Sequence, residues 1–218
     1  NMKQMNRDGV PGGYELPALA ELTPSGFRRA VEEEALVLDI RDIDEFGPSH
    51  HPGSINLPSL KNVSDHAGWA VPYDRPLVVV TDPENLDEAR RRLYRVGFTD
   101  FAGYIPRLDG YTDERASYET VDADEAHRAA ESDEALILDV RAESEYREGH
   151  IPGALHVHYG RIRDNLEEIP SDLPLVVHCA SGRRASVALS QLEAAGYDNL
   201  SNFPGGVSEW EEAGYEVE

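Results

Sequence analysis

The chain has 218 residues, 40% of them hydrophobic, which is enough to build a core in each of one or two domains. Its formal net charge of −22, from 42 Asp and Glu against 20 Lys and Arg, argues against a nucleic-acid partner and favours a halophilic protein of a high-salt cytoplasm. No apolar run reaches the roughly 18 residues of a membrane span, and a lone cysteine excludes an internal disulfide and a thiolate-rich zinc site.

The first predicted elements alternate between helix and strand. Thr23 can cap a helix that begins at Pro24, because its side chain can accept a hydrogen bond from the first turn. Residues 35–40 and 77–80 are short continuous apolar runs, which are typical of strands buried on both faces. The polar, turn-rich residues 109–117 are the predicted connector to the second part of the chain.

The same order of elements returns in that second part. Asp122, with Glu125 three residues later, predicts a capping box at the start of a helix. Residues 135–140 and 175–177 predict two more buried strands. A helix is predicted over residues 186–195, and the glycine after it favours the left-handed conformation that ends helices.

The chain contains two copies of one pattern. Ala-Leu-Val-Leu-Asp-Ile-Arg at residues 35–41 recurs as Ala-Leu-Ile-Leu-Asp-Val-Arg at 135–141, and Pro-Leu-Val-Val at 76–79 recurs at 174–177. Alternating strands and helices imply, in each copy, an α/β domain with a parallel β-sheet flanked by helices on both faces. The predicted divisions are a tail or linker at 1–15, a first domain at 16–112, a linker at 113–118 and a second domain at 119–218.

The copies differ most after the Pro-Leu-Val-Val strand. The second copy continues His-Cys-Ala-Ser-Gly-Arg-Arg at residues 178–184, whereas the first continues Val-Thr-Asp-Pro-Glu-Asn-Leu at 80–86, with Thr81 in place of Cys179. A small-residue loop between a buried strand and a helix directs backbone N–H groups inward, and these groups together with arginines favour a thiolate. We therefore predict that Cys179 is the nucleophile and that its anion-binding loop consists of Ala180, Ser181, Gly182, Arg183 and Arg184.

Other polar residues have a supporting interpretation. Charged residues that recur in the copy without the cysteine are expected to form salt bridges that frame the site: Asp139, Arg141 and Glu145. His178 precedes the nucleophile, but adjacent strand residues point to opposite faces, so we do not expect it to be the base. His156 and His158 lack the carboxylate or thiolate neighbours of a metal site, and we expect neither a metal nor another cofactor.

The sequence resembles the tandem rhodanese-homology proteins from about Leu16 to the end. In that family the cysteine takes up a sulfane sulfur and passes it to a nucleophile, and one of two domains is commonly degenerate. The resemblance therefore implies two tandem rhodanese-like domains, the first inactive, with thiosulfate or a persulfide as sulfur donor and a thiol or cyanide as acceptor. The motifs that carry it are Leu-Asp-Val-Arg at 138–141, Gly-His-Ile-Pro-Gly-Ala at 149–154, Cys-Ala-Ser-Gly-Arg-Arg at 179–184 and Pro-Gly-Gly-Val-Ser-Glu-Trp at 204–210.

A second resemblance concerns residues 2–9, Met-Lys-Gln-Met-Asn-Arg-Asp-Gly, and the Pro-Gly at 11–12. This stretch is similar to the junction at which a metallo-β-lactamase-fold persulfide dioxygenase is fused to C-terminal rhodanese domains. The catalytic metal motif of such a dioxygenase is absent from the sequence, so a fused domain would lie upstream of Asn1. An initial Asn also fits a chain that is processed or is part of a longer one.

Two rival functions stay open. A cysteine-dependent phosphatase uses a similar loop, but it needs an arginine after five intervening residues, and here that position is Ala185 while Arg184 falls one residue early. The other rival is a non-catalytic rhodanese-like binding or regulatory module, which the first copy resembles more than the second.

Overall fold

The computed structural model describes residue 16 and residues 19–132 and 135–218, so the junction-like stretch at 2–9 lies outside the described residues. Two groups of parallel strands occur one after the other along the chain, and we call the parts that contain them the first half (β1 to β4) and the second half (β5 to β9). The strands are β1 (Leu36–Asp39), β2 (Ile55–Asn56), β3 (Leu77–Val80), β4 (Phe101–Ile105), β5 (Glu119–Thr120), β6 (Leu136–Asp139), β7 (Leu155–His156), β8 (Leu175–His178) and β9 (Leu200–Phe203).

Helices connect most of these strands, as parallel pairing requires. The α-helices of the described residues are α1 (Pro24–Glu32), α2 (Ile43–Phe46), α3 (Val63–Ala70), α4 (Leu86–Arg95), α5 (Ala123–Glu131), α6 (Glu143–Glu148), α7 (Arg183–Ala194) and α8 (Gly206–Glu212). Short 3-10 turns occupy Leu60–Asn62, Tyr159–Asp164 and Leu166–Glu168.

The two sheets share one design. The first has the strand order β2-β1-β3-β4 and the second β5-β9-β8-β6-β7, with every pairing parallel. Asp39 pairs with Val80 in the first sheet, and Asp139 pairs with His178 at the same place in the second. The predicted strands and the predicted α/β class with parallel sheets are therefore confirmed.

The helix caps also agree with the sequence. The Thr23 side chain accepts a hydrogen bond from the amide of Gly26 at 3.1 Å, and Asp122 and Glu125 form the predicted capping box. The helix predicted over 186–195 differs, because α7 already begins at Arg183. Its first turn consists of loop residues without apolar periodicity, so the pattern alone did not reveal it.

One face of each sheet packs on helices of its own half. In the first half, Phe27 of α1 packs with Val37 and Val78, and in the second half Ala126 of α5 packs with Ile137. These contacts place a helix on the outer face of each sheet. A buried aliphatic or aromatic side chain of this kind contributes roughly 1.5–3 kcal/mol to folding.

The opposite faces of the two sheets contribute to one shared core. Leu38 and Val79 of the first half belong to the same apolar cluster as Leu138 and Val177 of the second half. Helices α3 and α7 contact each other within this layer. The helix that comes after the cysteine loop therefore packs against both halves of the molecule. No helix among the described residues combines the length and the apolar character needed to span a lipid bilayer.

Candidate active site

The cysteine loop connects β8 to α7 at the C-terminal edge of the second sheet. Cys179 directly follows β8, and Gly182 precedes α7 with a left-handed φ of 74°. A Cβ added at Gly182 would be strained by this φ and would lie 3.0 Å from the side chains of Ile43 and Pro204. Glycine therefore allows the loop to turn sharply between the two halves.

The Cys179 sulfur lies inside this turn. The residue has no exposed surface and belongs to the shared apolar core. The amide of Ser181 donates to Sγ at 3.5 Å. The pKa of Arg184 is raised mainly by its hydrogen bond with Glu145, and the nearby Cys179 raises it further. The remaining amides from Ala180 to Arg184 are still only predicted to stabilise charge on a bound sulfur anion.

Arg184 is held by a carboxylate. Its Nη1 and Nη2 atoms donate to Glu145 at 2.5 and 2.8 Å, a two-point pairing that fixes the guanidinium plane. This hydrogen bond is the main reason that the pKa of Glu145 is lowered to about 2, and the amide of Ala142, which donates to the same carboxylate, adds to the effect. Glu145 consequently stays ionised throughout the neutral range.

The sequence predicts for Glu145 only a place among the supporting salt bridges. Its recurrence as Glu45 in the first half concealed the contact with the loop, because the first half has no arginine equivalent to Arg184. The sequence did contain a signal for this contact, because only the copy with the cysteine has an arginine at the position of Arg184.

Arg183 has different surroundings. Its side chain is 48% exposed, and its Nη2 lies 3.8 Å from a carboxylate oxygen of Asp42 in the first half. The loop arginines therefore divide, with Arg184 beside the sulfur and Arg183 at the surface between the halves.

A buried ion pair lies beneath the loop. Nε and Nη2 of Arg141 donate to Asp139 at 2.6–3.0 Å, and Nη2 also donates to the Gly149 carbonyl at 2.7 Å. The pair of Arg41 with Asp39 repeats this geometry in the first half. Because both halves contain this ion pair, it is a feature of the scaffold that they share.

Three histidines of the second half bond to backbone groups. Nδ1 of His150 lies 3.0 Å from the Tyr146 carbonyl, and Nε2 of His156 lies 2.9 Å from the Arg141 carbonyl. His158 accepts a hydrogen bond from the amide of Gly160. Within the described residues no group of three or more His, Cys, Asp or Glu side chains is arranged to hold a metal ion.

The first half also contributes to the surroundings of the loop, which the sequence did not reveal. His66 of α3 is buried edge-on against Tyr159. Burial is the main reason that the pKa of His66 is lowered, and the positive charges of Arg184 and Arg183 lower it further. The described residues near the loop thus come from both halves.

Comparisons with known proteins identify this architecture. The family model for the rhodanese-like domain matches residues 122–213. A sulfurtransferase of Allochromatium vinosum is 33% identical over 92 residues, which are 42% of this chain and 86% of that protein. The chain belongs to the rhodanese family. The matched rhodanese segment contains Cys179 and its whole loop.

Two further proteins are similar to this rhodanese. The thiosulfate sulfurtransferase GlpE of Pseudomonas fluorescens is 32% identical over 76 residues, covering 35% of this chain and 70% of that protein. The crystal structure of a thiosulfate sulfurtransferase from Pseudomonas aeruginosa is 25% identical, with 92% of this chain and 43% of that chain covered and a TM-score of 0.39. The rhodanese-like family match and the sequence relatives named as sulfurtransferases support sulfur transfer as the general activity.

Proposed function

We propose that this rhodanese moves a sulfane sulfur from thiosulfate or a persulfide donor to a thiophilic acceptor through a persulfide on Cys179. The observation that carries the proposal is the position of the Cys179 sulfur, which accepts from the amide of Ser181 and lies near the guanidinium of Arg184. Both groups stabilise negative charge, and only the thiolate form of cysteine attacks sulfur efficiently.

The reaction has two half-reactions. The Cys179 thiolate attacks the outer sulfur of thiosulfate, a new S–S bond forms, and sulfite leaves with the electron pair of the old S–S bond. Cyanide or an acceptor thiolate then attacks the outer sulfur of the enzyme persulfide, and Cys179 leaves again as a thiolate. In each step the attacking group supplies the electron pair of the new bond and the leaving group takes the pair of the broken S–S bond, so no oxidant or reductant is needed.

Arg184 has a second role in the proposal. Its guanidinium would bind the departing sulfite portion of the donor, because a planar cation suits an oxyanion. The name of the relative GlpE, a thiosulfate sulfurtransferase, supports thiosulfate as a donor for this chain. The first domain, proposed at 16–112, would have no chemistry of its own, since Thr81 replaces the cysteine and acidic residues come after it.

Thiocyanate release from thiosulfate and cyanide tests the proposal. Wild type should turn over and, with thiosulfate alone, should gain the mass of one sulfur atom in intact mass spectrometry. Cys179→Ser should lose both properties, because a hydroxyl cannot form a persulfide.

Absence of thiocyanate and of the added sulfur in wild type, with every donor tried, would instead favour a binding module. Hydrolysis of p-nitrophenyl phosphate would favour the phosphatase alternative. Sulfur transfer that persists in Cys179→Ser would reject the assigned nucleophile.

A further inference from the structure

His178 is a buried polar group that the proposed reaction does not use. The residue has no exposed surface, and neither ring nitrogen makes a well-formed hydrogen bond. Burial lowers its pKa to about 4, although the nearby Asp139 carboxylate raises it. A buried polar side chain without partners reduces stability, so its presence next to the nucleophile calls for a reason.

The first half provides an internal control. Its residue at the same register is Val80, which pairs with Asp39 as His178 pairs with Asp139. Valine fits this buried strand position, and the Asp39–Arg41 pair forms beside it in the usual geometry. The imidazole is therefore not required for the strand or for the ion pair. It occurs in the copy that also has the cysteine.

The position of the ring indicates what it contacts. A Cβ added at Gly206, the first residue of α8, would lie 1.9 Å from the Cys179 carbonyl oxygen and 3.4 Å from Nδ1 of His178. The Cys179 carbonyl is thus directed at Gly206, beside the Nδ1 edge of the imidazole.

The direction of this carbonyl matters for the sulfur. A trans peptide is planar, so the N–H of Ala180 points opposite to the Cys179 carbonyl. A carbonyl directed toward Gly206 keeps its negative end away from the amide of Ser181, which donates to Sγ. A rotated peptide would direct the oxygen toward an anion and repel it.

We propose that His178 is a positioning residue whose Nδ1 edge holds the Cys179 peptide in the orientation that favours the thiolate. The inference rests on the proposed sulfur-transfer function. The groups around the ring are Asp139, with Oδ2 at 3.6 Å from Nε2, Arg141, Arg184, the Cys179 backbone and the Phe203 ring at 6.2 Å. The imidazole is neutral above its lowered pKa, so it acts through geometry and not through charge.

The decisive variant is His178→Val, the residue of the first half. Because the chain has one cysteine, the ultraviolet absorbance of the thiolate reports Cys179 alone, with Cys179→Ser as the blank. We expect the thiolate titration to move up by about one pH unit, a tenfold change in equilibrium. We expect kcat for thiosulfate and cyanide at neutral pH to fall about tenfold, with KM for thiosulfate within about twofold, because Arg184 is untouched.

Two further variants separate positioning from stability. His178→Asn places an amide where Nδ1 lies and should recover most of the thiolate titration and of kcat. His178→Val should unfold at the same or a higher temperature than wild type, since a valine needs no hydrogen bond. Val80→His, the reciprocal exchange, should lower the unfolding temperature and leave the thiolate titration unchanged.

An unchanged titration and an unchanged kcat in His178→Val would overturn the positioning role while sulfur transfer by wild type stands. A fall of kcat that only accompanies unfolding would overturn it as well. If wild type transfers no sulfur, the proposed function fails, and the thiolate titration still decides whether His178 positions the Cys179 peptide.

Discussion

Individual residues divide the loop into a part beside the sulfur and a part at the surface. Arg184 donates to Glu145 and lies near Cys179, whereas Arg183 is half exposed near Asp42. A charge-assisted hydrogen bond to a substrate oxyanion is worth about 1.5–3 kcal/mol. The two neighbouring arginines should therefore contribute unequally to donor binding.

We expect Arg184→Ala to raise KM for thiosulfate roughly ten- to a hundredfold, in line with that energy. Arg184→Lys should fall between wild type and alanine, because lysine keeps the charge but lacks the planar fork. Arg183→Ala is the matched control and should change KM by less than about threefold. Steady-state kinetics at fixed cyanide measure all three, and a larger effect at Arg183 would contradict the assignment of Arg184.

His178 should also affect how stability depends on pH. Its folded pKa of about 4 lies below the unfolded value of about 6.5, so the unfolded chain binds more protons between these limits. Stability contributed by the neutral ring is present above about pH 6.5 and is lost as the pH falls toward 4. The loss approaches roughly 3 kcal/mol in total.

His178→Val removes this group, so the free energy of unfolding should decrease less between about pH 6.5 and 4 in the variant than in wild type. Denaturant titrations at several pH values measure the difference. His127→Val, which replaces a histidine of α5 in the second half, serves as a control for loss of a histidine as such. Parallel curves for His178→Val and wild type would mean that the buried ring does not titrate as described.

Among the elements, α7 connects the cysteine loop to the first half through one face. Ser186 donates to Oδ1 of Asn56 at 2.7 Å, and Ser190 accepts from the Asn56 amide at 3.1 Å. Glu193, one turn further, accepts from the amide of Gly53 at 3.3 Å and from the Tyr118 hydroxyl at 3.3 Å. The spacing of these residues places them on one side of the helix.

Ser186→Ala tests this connection. The substitution leaves the buried Asn56 oxygen without its Ser186 partner, so we expect a loss of about 1–3 kcal/mol in the free energy of unfolding. Ser208→Ala, at an exposed serine of α8, should cost less than about 0.5 kcal/mol. Chemical denaturation measures both, and equal values for the two variants would show that the polar contacts along α7 add nothing to stability.

At the scale of the whole molecule, a shared core opposes strong self-repulsion. The apolar cluster that spans both halves holds together a chain with a net charge of −22. Repulsion among exposed charges falls as salt shortens the Debye length from about 10 Å at 0.1 M to about 3 Å at 1 M. Stability should therefore increase with salt.

We expect the midpoint of thermal unfolding to rise by roughly 4–8 °C between dilute buffer and about 1 M KCl, which corresponds to a gain of about 2 kcal/mol for a chain of this size. Differential scanning calorimetry measures it. Sucrose stabilises proteins without screening charge, so a response to KCl well beyond that to sucrose identifies electrostatics as the cause. Equal midpoints in dilute buffer and molar KCl would contradict the halophilic interpretation.

The sequence by itself determined the alternating elements, the duplication, two helix caps and the identity of the candidate nucleophile. Apolar runs and helix caps such as Thr23 and Asp122 depend on neighbouring residues. The difference between Thr81 and Cys179 emerges when the two copies are compared. Such features can be predicted because their physical causes act over a few residues.

Only the tertiary structure decided which arginine lies beside the sulfur, that Glu145 holds it, and that α7 bonds to Asn56 in the other half. The buried, unpartnered state of His178 likewise became visible only when β8 and α8 were in place. These features join residues far apart in sequence. Their energies depend on distance, orientation and burial, which no local pattern of residues specifies.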